Sequence, residues 1–342
     1  MSVAKQTKPN ADALAQFLRD ACAAQSVRVE ALSLLSGGAI QQNWQIQVQV
    51  SGGAHDGAHT WVLRTDAPAT VAASLSRERE FDIIRFAHAR GLLAPKPLFL
   101  TNDPTVTGRP FFVMEKLPGV AAGHKVVRLD LNRRALAQAL AQTAARIHAI
   151  PPPIVELPFL KTFLARDVIK ACRDYLDTLD TLGEPHPVLE WGLRWCERRA
   201  PTQEETTFVH RDFRTGNYLV HDGKLAGLLD WEFAALGNPL EDIGWICAKC
   251  WCFRHEHHIV GGVADLDDFL AAYEAASGRK VRNDELRYWQ VMAHSRWAII
   301  ALQQAQRHLS GVEPSIELAL TGKIVAELEW EVLQLTEQAE QT

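Results

Sequence analysis

The chain has 342 residues, a formal net charge of −5 and 47% hydrophobic residues, enough for two lobes with packed cores. The acidic balance and the lack of a basic run exclude an electrostatic footprint for nucleic acid, and no apolar stretch reaches the roughly 18 residues of a membrane span. The start, MSVAKQTKPNADA, has no apolar secretory segment, and 6 scattered Cys suit reduced, buried thiols, so a cytoplasmic protein without membrane or nucleic-acid partners is expected.

In chain order, Asn10 is a good N-cap for an amphipathic helix over 10–25. Val27 to Leu34 reads as a strand, and Asn43 to Val50 alternates with period two as a second. Between them lies Ser36-Gly37-Gly38-Ala39. Strand, glycine turn, strand is the form of a loop that covers nucleotide phosphates with backbone N–H groups, and equally of an ordinary hairpin. Trp61 to Thr65 is a third strand, and 70–90 reads as a helix with Leu75, Phe81, Ile84 and Phe86 as apolar positions. Two more strands follow at Leu98–Thr101 and Pro110–Met114. Beyond Gly119 the chain reads as mostly helical. A long Ala-rich helix covers Leu129–Ile150, and others cover Asp167–Leu182, Val188–Arg199, Leu266–Ser277, Asp284–Leu309 and Ser315–Gln338.

The chemistry concentrates between Phe208 and Trp245. Two apolar runs, Tyr218–Val220 and Leu225–Leu229, flank Asp222-Gly223, a hairpin signal because Gly accepts positive φ. A polar loop, His210 to Asn217, enters the hairpin and Asp230 leaves it, so Asp212, Asn217 and Asp230 are expected in one small volume. His210-Arg211-Asp212 followed by Asn217 fits H-R-D-x-x-x-x-N. Phosphoryl transfer needs a carboxylate to orient the attacking hydroxyl and take its proton, and oxygen ligands for Mg²⁺. Asp212 is therefore the candidate base, with Asn217 and Asp230 the candidate Mg²⁺ ligands. The bland alternative is a solvated loop with ordinary Asp and Asn turn residues.

HRDFRTGNYLV and LLDWEFAALGNPLEDIGW resemble the catalytic loop and the metal-binding segment of the aminoglycoside phosphotransferase/choline kinase group of protein-kinase-like enzymes. The subgroup most resembled is the kinase-like domain fused to some acyl-CoA dehydrogenases. The resemblance implies an α+β, two-lobed kinase-like fold. Residues 1–118 would form a sheet-rich nucleotide lobe and 119–342 a helical catalytic and substrate lobe. It implies ATP and Mg²⁺ as cofactors and a small molecule with a hydroxyl as phosphate acceptor. Gly37 and Gly38 would then cover phosphates. Arg64 stands where protein kinases place the phosphate-holding Lys, although Arg and Lys are not interchangeable. Glu80, in Arg79-Glu80-Phe81, would pair with Arg64, with Glu78 as competitor. Glu115 and Leu117 would lend backbone groups to adenine. Arg211 either stabilises charge on the transferred group or serves as a salt-bridge partner. Glu232 either reaches a second metal or the substrate, or caps a turn. His210 and Asp242 read as bracing the loop.

Cys247, Cys250, Cys252, His255, His257 and His258 invite a zinc reading. With no second pair elsewhere, an apolar helix with buried thiols is the preferred one. Three functions compete. A protein kinase needs a long peptide-docking stretch after its metal-binding Asp, whereas Asn238-Pro239 follows Asp230 closely. An inactive nucleotide-binding module has Arg64 as its one support. A small-molecule kinase uses every filled position. Its acceptor wall, expected over Lys249–His258, carries Lys249, Arg254, His255, His257 and His258 against Glu256, and the helix beyond adds His294, Arg296, Arg307 and His308. That wall suits an anionic or neutral alcohol, such as a hydroxyacyl-CoA, better than a polycationic aminoglycoside.

Overall fold

The computed structural model describes residues 8–35, 41–66, 74–181, 184–311 and 313–340. They form two compact units, one reaching to Pro118 and including Gly227–Phe233, the other comprising Gly119–Ala226 and the residues from Ala234 on.

The first unit holds helices α1 (Ala11–Ala21) and α2 (Arg77–Ala89) and strands β1 (Ser26–Leu34), β2 (Gln41–Ser51), β3 (Gly57–Asp66), β4 (Pro97–Thr101) and β5 (Phe111–Glu115). The strands make one antiparallel sheet in the order β1-β2-β3-β5-β4. Asn10 caps α1 by accepting from the Asp12 and Ala13 N–H groups. The helix then lays Leu14 and Leu18 into a core with Trp44, Ile46, Val48, Trp61, Leu63, Phe111 and Val113. Alternation along β2 puts every second side chain into that core, as a sheet with one covered face requires. The helix read over 70–90 is shorter than the sequence suggests: Ser76 caps it, accepting from the Arg79 N–H, and Arg77 is its first residue.

The second unit holds α3 (Gly123–Val126), α4 (Arg133–His148), β6 (Thr162–Phe163), α5 (Ala165–Thr181), α6 (Pro187–Arg199) and β7 (Thr207–Val209). Next comes a hairpin of β8 (Tyr218–His221) and β9 (Lys224–Leu228, whose last two residues are counted with the first unit), turned by Asp222 and Gly223, both left-handed at φ 48 and 72. After it come β10 (Ala235–Gly237), α7 (Pro239–Ile246), α8 (Leu266–Ser277), α9 (Asn283–Leu309), α10 (Ile316–Lys323) and α11 (Val325–Glu340). β10 lies between β6 and β7. The main core gathers α5, α6, α9 and α11 around Trp195, Tyr288, Trp289, Met292, Ile299 and Val332. Gly244 lets α7 touch α9, since a Cβ there would sit 2.6 Å from the backbone carbon of Trp289. That contact fixes Trp245 against the middle of α9. Among the described residues no helix is long and apolar enough to cross a membrane.

Two expectations fail here. The helix read over 315–338 is two helices with a break at Ile324. Gly322 sits so close to Ala305 of α9 that a Cβ would lie 2.6 Å from the Ala305 Cβ, which holds α10 down on α9. The segment around Cys247 is not a continuous helix. α7 ends at Ile246, a short 3-10 turn covers Lys249–Cys252, and Phe253 and Arg254 are left-handed.

Candidate active site

In the first unit the site is a knot of ions. Arg64 is buried on β3, where its Nε lies 3.0 Å from Glu80 Oε1 and its Nη1 donates to Asp230 at 2.7 Å and to Asn43 at 3.3 Å. Asn43 is its register partner on β2. Glu80, and not the exposed Glu78, faces Arg64 from α2. Burial pulls the Arg64 pKa down, but Glu80, then Asp230 and Glu232, outweigh it and hold it above the ordinary value. Its Nη2 lies 3.7 Å from Glu232 Oε1 and is a buried donor without a hydrogen-bond partner.

A second buried guanidinium, Arg77, was not singled out in the sequence. It pairs with Asp66 at 3.0 Å, with Glu80, and with Glu232 at 3.5 Å. Its i,i+3 spacing to Glu80 was the available signal, masked by the charged run Arg77-Glu78-Arg79-Glu80. Glu232 does not merely cap a turn. It is buried and accepts from Gln41 Nε2 at 2.6 Å and from the Ser74 hydroxyl. Burial raises its pKa, and Glu80 and Asp230 raise it further against the opposing pull of Arg64. Four carboxylates, Asp66, Glu80, Asp230 and Glu232, thus face two guanidiniums, an excess that favours a cation. Asp230 is left-handed at φ 59, with its side chain 32% exposed. Gly37 and Gly38 lie outside the described residues. Glu115 ends β5, its N–H already donated to Lys96 at 2.9 Å, and Leu117 is half-buried.

In the second unit the loop after β7 carries Asp212 and Asn217 together. Asp212 Oδ1 accepts from Trp245 Nε1 at 2.8 Å and from Arg214 Nε at 2.9 Å, and Oδ2 accepts from Asn217 Nδ2. Asn217 Nδ2 also donates to the Asp212 carbonyl at 3.0 Å, so its Oδ1 is the amide atom outside these bonds. Three donors meet a carboxylate that offers about four lone-pair positions. The loop is braced from below. Asp242 accepts from the His210 and Arg211 N–H groups at 2.8 and 2.7 Å and from His148 Nε2 at 3.1 Å. Burial alone would raise the Asp242 pKa, but the His148 hydrogen bond and the neighbouring His148 and His210 hold it below the ordinary value. Thr215 donates to the Gly261 carbonyl at 2.7 Å, and a Cβ on Gly261 would collide with that hydroxyl at 2.1 Å.

Arg211, left-handed at φ 64, donates from Nε to Glu241 at 2.9 Å and lies over the Phe163 ring. Geometry favours its salt-bridge alternative. Trp245, Arg214 and Glu241 were not anticipated as parts of the site. The cationic wall is largely redistributed: Lys249 pairs with Glu331 at 2.6 Å, His258 with Asp265 at 2.7 Å and Arg307 with Glu313, while His294 is buried between the Lys249 N–H and the Gln290 carbonyl. Arg296 donates to Glu241 at 2.8 Å, beside the loop. Among the described residues no group of three or more His, Cys, Asp or Glu is arranged to hold a metal ion, so the Cys/His segment has no zinc geometry. Burial lifts its thiols, Cys252 to about 12.

A family model described as the phosphotransferase enzyme family, APH, matches residues 31–293. The chain belongs to that family. This APH chain is 28% identical over 290 residues to mouse acyl-CoA dehydrogenase family member 10, a match covering 79% of the chain and 27% of the mouse protein. It therefore spans about a quarter of that relative's length. It is 26% identical over 194 residues to a homoserine kinase of Gluconobacter oxydans, covering 51% of the chain and 54% of the kinase. A Ralstonia eutropha structure provisionally named an aminoglycoside phosphotransferase superposes with a TM-score of 0.72 at 21% identity, over 96% of this chain and 99% of that one. Spectinomycin phosphotransferase, solved with ADP and spectinomycin, superposes with a TM-score of 0.64 at 13% identity, over 95% and 99%. These likenesses establish the kinase-like α+β fold.

Proposed function

We propose that this APH-family chain transfers the γ-phosphoryl group of ATP, with Mg²⁺, to the hydroxyl of a small anionic alcohol. The observation that carries the reading is Asp212: a nearly buried carboxylate with three fixed donors and room for one more. The acceptor O–H donates to Asp212 Oδ2 and passes its proton there. The acceptor oxygen bonds to the γ-phosphorus as the bond from that phosphorus to the β-bridging oxygen breaks, and ADP leaves with the electron pair.

Asn217 Oδ1 and Asp230 would hold Mg²⁺, which keeps several waters and phosphate oxygens and needs only one or two protein carboxylates. The residues fit: the amide oxygen stands outside the Asn217 hydrogen bonds, and the Asp230 group has more carboxylates than guanidiniums. Mg²⁺ held by these oxygens would neutralise the negative charge that develops on the transferred phosphoryl group. Arg64 Nη2, a buried donor without a hydrogen-bond partner, fits a phosphate oxygen. Glu80 and Arg77 position Arg64, and Arg211 positions the loop through Glu241. Gly37 and Gly38 would cover the phosphates and the backbone of Glu115 and Leu117 would meet adenine.

The match to an acyl-CoA dehydrogenase family member supports a hydroxyacyl-CoA among anionic alcohols. The test is Asp212→Asn, assayed with γ-labelled ATP against hydroxyacyl-CoAs, hydroxycarboxylates, aminoglycosides and choline-like amines. Turnover of an anionic alcohol should fall about 10²–10⁴-fold while ATP still binds. Near-wild-type turnover in Asp212→Asn, or efficient phosphorylation of aminoglycosides alone, overturns the reading.

A further inference from the structure

An anionic acceptor whose hydroxyl reaches Asp212 needs cations beside that carboxylate. Arg214 lies two residues on. Its Nε bonds Asp212, its Nη1 donates to the Thr215 carbonyl at 3.3 Å, and its guanidinium covers the Trp251 ring at 4.3 Å. Nη2 takes no part in these bonds, and the side chain is 23% exposed. On the other flank of Asp212, Trp245 donates its indole N–H to the same oxygen, and Arg296 lies over the Trp245 ring at 4.8 Å.

These elements meet in a cluster of indoles. Ring centroids are 5.6 Å apart for Trp245–Trp251, 4.7 Å for Trp251–Trp297 and 6.2 Å for Trp245–Trp297. The Nε1 atoms of Trp251 and Trp297 are buried donors without a partner, and Trp251 as a whole is 6% exposed. Trp297 and Ile300 stay half-buried at the edge of this cluster.

The balance of charge points the same way. Arg211, Arg214 and Arg296 face two carboxylates, Asp212 and Glu241, both already bonded to them. Asp242, beyond, is taken by two backbone N–H groups and His148. Arg296 is half-buried, and desolvation followed by the Arg211 cation holds its pKa below the ordinary value. An anion relieves both. The one buried acceptor left over here, Glu241 Oε2, is better served by water: a cavity of about 10 Å³ lined by Glu241, Trp245, Trp289, Met292, Ala293 and Arg296 admits one water at most.

We propose that Arg214, Arg296 and the Trp251 indole N–H form a subsite for the oxyanion of the acceptor, a carboxylate or a phosphate, with the acceptor's carbon chain lying against Trp297. This rests on the phosphotransferase reading above, and the test separates the two. Isothermal titration of the full chain first measures Mg·ATP binding. Straight-chain hydroxycarboxylates of increasing length, the matching hydroxyalkyl phosphates, hydroxyalkylamines and neutral diols are then titrated in the presence of Mg and a non-hydrolysable ATP analogue, and assayed for turnover with ATP.

Binding of hydroxycarboxylates or hydroxyalkyl phosphates, with amines excluded, is expected; the stronger of the two anions identifies the source. Because Arg214 touches Asp212, its kcat also falls on substitution, so the deciding readout is the ratio of anionic to neutral acceptor affinity. Arg214→Gln should lower that ratio about tenfold to a hundredfold, the loss of one charge-assisted bond. Arg296→Lys, which keeps the charge and the fold, should lower it less than Arg296→Gln. No Mg·ATP binding sinks the phosphotransferase reading itself. A ratio unmoved in Arg214→Gln and Arg296→Gln overturns the subsite alone, whereas Mg·ATP binding with no preference for anions overturns the subsite and the anionic acceptor together and leaves phosphoryl transfer standing.

Discussion

Asp242 offers the sharpest physical test, because one buried carboxylate holds two consecutive N–H groups of the loop that carries Asp212. It accepts at 2.8 Å from His210, at 2.7 Å from Arg211 and at 3.1 Å from His148, whose other nitrogen meets the Tyr273 hydroxyl at 2.9 Å. Asp242→Asn keeps one oxygen and replaces the other with an NH₂ that confronts a donor. One charged hydrogen bond is lost, about 1.5–3 kcal/mol, and one buried N–H is left unsatisfied, about 1–3 kcal/mol. The sum is about 2.5–6 kcal/mol, a range that brackets the cost of other broken buried ion pairs. The folded-state pKa of Asp242 lies below its ordinary 3.8. Its stabilisation is therefore complete above that value and disappears as pH falls through the lower, folded one. Urea unfolding followed by far-ultraviolet circular dichroism should show the full deficit of Asp242→Asn near pH 7, narrowing as pH falls below 3.8. A deficit under about 1 kcal/mol, or one that stays constant with pH, refutes the assigned role. Loss of turnover without loss of stability would mean that Asp242 acts on the chemistry directly.

Asp230→Ala and Asn217→Ala should each weaken Mg-dependent nucleotide binding, Asp230→Ala more, since a hard dication prefers a carboxylate to an amide; unchanged Mg·ATP titrations in Asp230→Ala would place the metal elsewhere. Arg64→Ala should raise the KM for ATP and Arg64→Lys should retain part of the activity, because Lys reaches phosphate as a point charge where Arg offers a fork; unaltered kinetics in Arg64→Ala would remove Arg64 from the nucleotide site. Arg77→Met leaves Glu80 and Glu232 with Arg64 as the cation they still share and takes from Asp66 its pairing with Arg77, so thermal unfolding should fall by the equivalent of about 3–5 kcal/mol, and a melting temperature within a degree or so of wild type would show the network to be dispensable.

What could be read from the sequence was local. The Asp212–Asn217 pair sits inside one loop, and the hairpin after it is written in Asp222-Gly223, whose backbone takes the positive φ that Asp-Gly tolerates. Glu80 stood out only through the resemblance of Arg79-Glu80-Phe81 to a family segment. What escaped was charge whose partner is distant in sequence. Glu232 receives bonds from Gln41 and Ser74, 191 and 158 positions away. Asp212 is fixed by Trp245, 33 positions on. No spacing rule reports such pairs. The cationic wall shows the same limit from the other side: counting charges along 249–258 ignored Glu331 and Asp265, which claim Lys249 and His258. The helix read through Cys247 failed because apolar residues and small thiols pack equally well around a 3-10 turn and two left-handed residues.

Arg64 illustrates how one departure from a family pattern draws in others. A Lys ammonium on β3 is a compact point charge, suited to one carboxylate and a phosphate. Arg64 instead divides its nitrogens, Nε to Glu80 and Nη1 to Asp230 and Asn43, with Nη2 near Glu232. A fork of that reach gathers more carboxylate than one cation can balance inside a core, and burial alone would then drive the acids towards their neutral forms. Arg77, entirely buried and paired to Asp66, Glu80 and Glu232, supplies the second positive charge. With Glu80 shared between two guanidiniums, Arg64 is held in place from both sides. Its Nη2 makes no hydrogen bond within the protein and keeps only the looser ion pair with Glu232, so on the proposed reading it is the donor that a phosphate oxygen would take. Arg at this position is thus better explained as one member of a four-residue set, with Glu80, Arg77 and Glu232, than as a lost Lys.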